Sequence, residues 1–138
     1  MSVADKQEKS CVSSADARSQ LRSVLTEVCC GLLRPEVRRL RDDALLVVSE
    51  LIANALKHAG GVTGFSIHVN SDELQLRVSD ASRTEPRPLP VLEGLPGGYG
   101  WNMVHRLCSR LHVTMDPVGK TVTAALALPR ESALVTAG

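Results

Sequence analysis

The sequence predicts an α+β domain in which a mixed, mainly antiparallel sheet is covered by helices on one face. Three observations carry that prediction. Apolar residues recur at helical spacing up to Ala59 and again from Trp101. The period switches to two after Gly64 and after Leu111, and the strands come as two hairpins separated by a long broken segment. Paired strands interleaved with helices suit an antiparallel or mixed sheet layered against helices, not the strand-helix alternation of a doubly wound parallel sheet.

Ser13 and Asp16 form a capping box, and Leu21, Val24, Leu25, Val28 and Leu32 then follow helical spacing as far as Leu33. Pro35 opens the second helix. Its apolar positions Val37, Leu40, Ala44, Val47, Val48, Leu51, Ile52 and Ala55 run to Ala59, where Gly60 and Gly61 provide the stop. Phe65, Ile67 and Val69 alternate with Ser66 and His68, Asn70-Ser71-Asp72 turns the chain, and Leu74, Leu76 and Val78 continue the alternation to Asp80. The stretch from Ala81 to Gly100, with Pro86, Pro88, Pro90, Pro96 and Gly94, Gly97, Gly98, Gly100, is too broken for a regular element and reads as a lid or binding loop. A third helix starts near Trp101, supported by Val104, Leu107, Cys108 and Leu111. A second hairpin follows, Leu111 to Met115 and Lys120 to Leu128, around the turn Asp116-Pro117-Val118-Gly119.

At 138 residues the chain has room for one domain. Residues 1–12 read as a flexible N-terminal segment, 13–129 as the domain and 130–138 as a flexible C-terminal tail. A net charge of +1 creates no strong field, so neither nucleic acid nor an anionic membrane is favoured as a direct partner, and the basic cluster Arg34, Arg38, Arg39, Arg41 reads first as a solvated helix face. Met1 to Val12 lacks the apolar core of a secretion signal, and no apolar run nears the roughly 18 residues of a membrane span, so the expectation is a cytoplasmic protein. Cys11, Cys29, Cys30 and Cys108 contain no Cys-x-x-Cys pair or matching His spacing; four thiols are expected, with a redox role for Cys11 as the minor alternative.

Chemistry is concentrated in three clusters. On the second helix, Asn54, Lys57 and His58 fall within about 80° of Glu50 around the axis, so a carboxylate, a carboxamide, an ammonium and an imidazole share one wall of an otherwise apolar helix. Such a wall needs water, a metal or a phosphate against it. Asp80 ends a strand, where it either accepts a hydrogen bond from an exocyclic amine or caps the following loop. Gly97-Gly98-Tyr99-Gly100 leads into the third helix, which suits close approach of a phosphate to free N–H groups and suits a tight turn equally. Asn54 has the oxygen that a hydrated Mg²⁺ takes, and Glu50 has the carboxylate to orient or deprotonate an attacking hydroxyl; either residue also serves as a hydrogen-bond partner for a neighbouring loop.

Glu50-x-x-x-Asn54-Ala55-x-x-His58, Val78-Ser79-Asp80, Gly98-Tyr99-Gly100 and Gly119-Lys120-Thr121-Val122, in this order, resemble the motif series of the ATPase superfamily of gyrase B, Hsp90, histidine kinases and MutL. The likeness runs from about Asp16 to Leu128. Within that superfamily the short stand-alone form resembles the serine-kinase anti-sigma factors and related actinobacterial regulatory ATP-binding proteins. The resemblance implies the two-layer Bergerat ATP-binding fold, with ATP and Mg²⁺ as cofactors. By position, Glu50 is then the catalytic base, Asn54 the magnesium-holding residue, and Lys57 and His58 lie near the phosphates. Asp80 receives the adenine amino group, with Ser82 and Tyr99 beside the nucleotide, Gly98 and Gly100 against the phosphates, and Thr121 beneath the base. Two positions depart from the pattern: Ser82 stands where a glycine usually follows the aspartate, and Trp101 where a smaller aliphatic residue is usual.

The activity implied is a serine/threonine protein kinase that binds a sigma factor and phosphorylates a STAS-domain anti-anti-sigma antagonist. From a different class comes a non-catalytic partner-binding module of the same fold, with weak or no nucleotide binding. A detached sensor-kinase catalytic domain is less attractive, because no phosphoacceptor helix pair precedes the domain. Self-pairing through the Leu21 to Leu32 stripe is the expectation for a homodimer, against the plainer reading of that stripe as core.

Overall fold

The computed structural model describes residues 12–28, 35–82 and 99–129. Its elements are α1 (Ser14–Val28), α2 (Pro35–Ala59), β1 (Val62–Val69), β2 (Glu73–Asp80), α3 (Tyr99–Leu107), β3 (Arg110–Asp116) and β4 (Gly119–Ala127). The order expected from periodicity is the order observed. The four strands form one sheet in the order β1-β2-β4-β3, and every pairing is antiparallel.

Local chemistry explains each boundary. Ser13 Oγ accepts from the Asp16 N–H at 3.1 Å, satisfying one of the free donors at the start of α1. Gly60 has φ of 76°, a conformation that a side chain disfavours, and Gly61 N–H donates to the Ala55 carbonyl at 3.0 Å to close the end of α2. Both hairpin turns are held by a short acceptor. Asn70 Oδ1 takes the N–H groups of Asp72 and Glu73, each at 2.8 Å, and Asp116 Oδ1 takes those of Val118 and Gly119, each at 2.9 Å.

Alternation then divides the sheet into two faces. Phe65, Ile67, Leu74, Leu76, Val78, Val122, Ala124 and Leu126 are buried against the helices. Val37, Leu40, Ala44, Val47, Val48, Leu51, Ile52 and Ala55 form the buried stripe of α2, and Leu21, Val24 and Leu25 that of α1. Each fully buried Leu, Ile or Phe here contributes about 1.5–3 kcal/mol. Val12, grouped with the N-terminal segment in the sequence reading, is 4% exposed and joins this core. The opposite face carries Gln75, Arg77, Arg110, His112, Thr114, Thr121 and Thr123 around a shallow groove. Arg110 on β3 reaches over Ala125 and Ala127 of β4 to pair with Glu73 on β2, so small residues on the intervening strand let one guanidinium span three strands. That bond holds the Glu73 carboxyl below its ordinary range and raises the Arg110 guanidinium.

Candidate functional site

The predicted clusters lie in the last turns of α2, at the end of β2 and at the start of α3. Glu50 and Asn54 are half-buried on α2 and Lys57 is exposed beyond them. His58 lies in the last turn of the same helix. Gly100, the second residue of α3, packs directly on Glu50: a Cβ built there would overlap Glu50 Oε2 and Cδ. The glycine therefore makes room for a carboxylate, held at a helix N-terminus where the unsatisfied N–H groups carry about half a positive charge. Tyr99 opens α3. Gly98, and with it the lid expected between Ala81 and Pro96 from residue 83 onward, lies outside the described residues.

Asp80 ends β2 on the helix-facing side and is 5% exposed. It is not free. Lys120 Nζ donates to Asp80 Oδ1 at 3.0 Å and lies 2.9 Å from Oδ2, and Ser82 N–H donates to Oδ1 at 2.8 Å. Lys120 is itself 6% exposed, so the two charges are buried together. A buried carboxylate in contact with an ammonium and a backbone N–H has its charge compensated, and removing either partner would strand the other.

Thr121 is where the structure corrects the sequence reading. Asp80 pairs with Lys120 and Ser79 with Thr121 across the β2–β4 ladder, and paired residues share a face. Thr121 therefore points to the open face, where its hydroxyl meets that of Ser79 at 2.7 Å, and it does not sit beside Asp80. Lys120 takes that place. The signal was in the sequence: counting back by twos from Leu126 through Ala124 and Val122 reaches Lys120 on the inner face.

Trp101 is 7% exposed and packs in the core, its ring meeting that of His105 edge-on at a centroid distance of 5.4 Å. Cys108 is half-buried, and burial pushes its thiol up to about 11, so it is a thiol at neutral pH; Cys11, Cys29 and Cys30 lie outside the described residues. Among the described residues no three His, Cys, Asp or Glu converge as a cation cage. A metal at this end of the molecule would take few protein ligands and fill its shell from elsewhere, as Mg²⁺ does with water and phosphate oxygens, and the half-buried Asn54 offers one such oxygen.

Residues 11–126 match the family model described as histidine kinase-like ATPase domain. Among solved structures, the chain is similar to the histidine kinase domain from the Erythrobacter litoralis EL346 blue-light activated histidine kinase, at 21% identity and a TM-score of 0.51, with 98% of this chain and 70% of that chain covered. No curated protein matches.

Proposed function

The chain belongs to the histidine kinase-like ATPase domain family, and from that premise we propose that it is a regulatory, cytoplasmic ATP-binding protein that transfers phosphate to a protein serine or threonine. The observation that carries this reading is the seat of Glu50. A carboxylate in contact with a glycine at a helix N-terminus supports a role beside an anionic phosphate, where it would meet an incoming hydroxyl. Asn54 would hold Mg²⁺ through its carboxamide oxygen, and Mg²⁺ would neutralise charge on the phosphates. Lys57 and His58 lie one turn further along the same helix and would approach those phosphates. Gly98, Tyr99 and Gly100 would lie beside the phosphates by their place in the motif, and Asp80 with Ser82 would close the purine end. Glu50 aligns the incoming hydroxyl and accepts its proton, so the gain comes mainly from positioning.

The substrate proposed is a STAS-domain antagonist, with a sigma factor as the protein restrained; the α1 stripe weighed for self-pairing is not such a surface, because Leu21, Val24 and Leu25 are buried in the core of the chain itself. The motif series Glu50-x-x-x-Asn54-Ala55-x-x-His58, Val78-Ser79-Asp80 and Gly119-Lys120-Thr121-Val122, which resembles that of the serine-kinase anti-sigma factors, supports the antagonist and sigma-factor partnership. Incubating purified protein with labelled ATP and candidate STAS proteins, followed by mass spectrometry, tests it: a phosphoserine or phosphothreonine is expected on one candidate, and Glu50→Gln should retain nucleotide while losing transfer. Wild-type transfer by Glu50→Gln would remove Glu50 from the chemistry.

A second reading, a partner-binding module without catalysis, is favoured by one specific observation: both Asp80 oxygens already engage Lys120. Titration calorimetry with Mg-ATP separates the two. No heat and no thermal shift at millimolar nucleotide would leave the module.

A further inference from the structure

We propose that Lys120 is a specificity-determining residue that reads the purine together with Asp80, giving the site a paired acceptor and donor; this rests on the ATP-binding reading above. The argument is one of hydrogen-bonding capacity. An ionised carboxylate has about four lone-pair sites. Asp80 Oδ1 uses two, on Lys120 Nζ and Ser82 N–H, while Oδ2 uses one, on Lys120. The ammonium has three N–H donors, gives one to Oδ1 and lies 2.9 Å from Oδ2 in the ion pair, so even with an N–H on each oxygen one remains. One acceptor site on Asp80 and one donor on Lys120 are left, on adjacent atoms, both on the helix-facing side of the sheet.

Adenine carries the complement on one edge, an amino donor at N6 beside an acceptor at N1. Asp80 then accepts from N6 and Lys120 donates to N1. The register of β4 makes this a property of position 120: its neighbour Thr121 faces the other way, on the Ser79 side. Because Lys120 is 6% exposed, a ligand that failed to take its third N–H would leave a charged donor unmatched in a buried place.

The test compares ATP with 1-deaza-ATP, which keeps N6 and replaces N1 by a carbon, by calorimetry on the whole chain. Wild-type protein should bind the deaza analogue about tenfold or more weakly. Lys120→Met should weaken ATP and erase the discrimination, and Lys120→Gln, which keeps an N–H donor, should restore part of it. The analogue comparison on wild-type protein stands alone if either variant fails to fold. Equal affinity for the two nucleotides would overturn the role of Lys120 and leave ATP binding intact. Tighter ATP binding by Lys120→Met would also overturn it, since the lysine would then be an obstacle. Absence of binding by either nucleotide would overturn the inference together with the ATP-binding reading.

Discussion

Gly100→Ala separates the role proposed for Glu50 from the stability of the fold. A methyl at position 100 would occupy space held by Glu50 Oε2 and Cδ, and its three nearest neighbours all belong to that one flexible side chain. The carboxylate can therefore rotate away, at about 0.5–1.5 kcal/mol for an unfavourable rotamer. Replacing glycine within a helix returns up to about 1 kcal/mol. The two nearly cancel, so the melting temperature should move by no more than about 4 °C in a chain of this length. Function should respond differently. Displacing a positioned catalytic group by about an ångström costs about 10²-fold in rate. Steady-state ADP release with Mg-ATP, measured beside a thermal melt, is the assay. A hundredfold loss with an intact melt is expected. Unchanged turnover would show that Glu50 does not act from this seat, and a melt lowered by 10 °C or more would show that the glycine serves packing instead.

Gly119→Ala should behave in the opposite way: its Cβ would overlap the Asp80 carbonyl oxygen and lie 2.9 Å from Ala81 Cα. Backbone cannot rotate aside, so denaturant melts should show a loss of about 1–3 kcal/mol or more. Ile52→Ala empties a fully buried position between α2 and the sheet and should cost about 2–5 kcal/mol, read as a lower urea midpoint at unchanged slope. Glu73→Gln tests the bridge over β4. The folded carboxyl lies below its ordinary 4.5 because Arg110 donates to it, so its contribution is present above that value and is lost as pH falls through the folded range. The stability difference between wild type and Glu73→Gln should therefore be largest near neutrality and vanish in acid. A difference that grows as pH falls would contradict the bridge.

Much of this architecture was legible in residue order. The α2 stripe from Val37 to Ala55 is the buried set observed, because one unbroken 3.6-residue period admits one solution for the face turned inward. The hairpins were equally readable, since Asn70 and Asp116 sit where a side-chain acceptor can close a turn. What stayed hidden depended on pairing between distant segments. That Asp80 opposes Lys120 follows from the β2–β4 register, forty residues apart in sequence, and matching a motif by its threonine placed the neighbouring residue there instead. The contact of Gly100 with Glu50 was hidden for the same reason: each was recognisable alone, but only the docking of α3 on α2 puts one against the other.

The Asp116–Gly119 turn has a consequence for how this hairpin can vary. Its two N–H bonds to Asp116 Oδ1 fix its length, and the close approach of Gly119 to the Asp80 backbone fixes its phase against β2. An inserted or deleted amino acid here would exchange inside for outside along the following strand, expelling Lys120 and driving Thr121 and Thr123 into hydrocarbon. Length drift, usually tolerated at exposed loop tips, should therefore be purged at this tip, and relatives that do gain a residue should carry a compensating bulge before Val122.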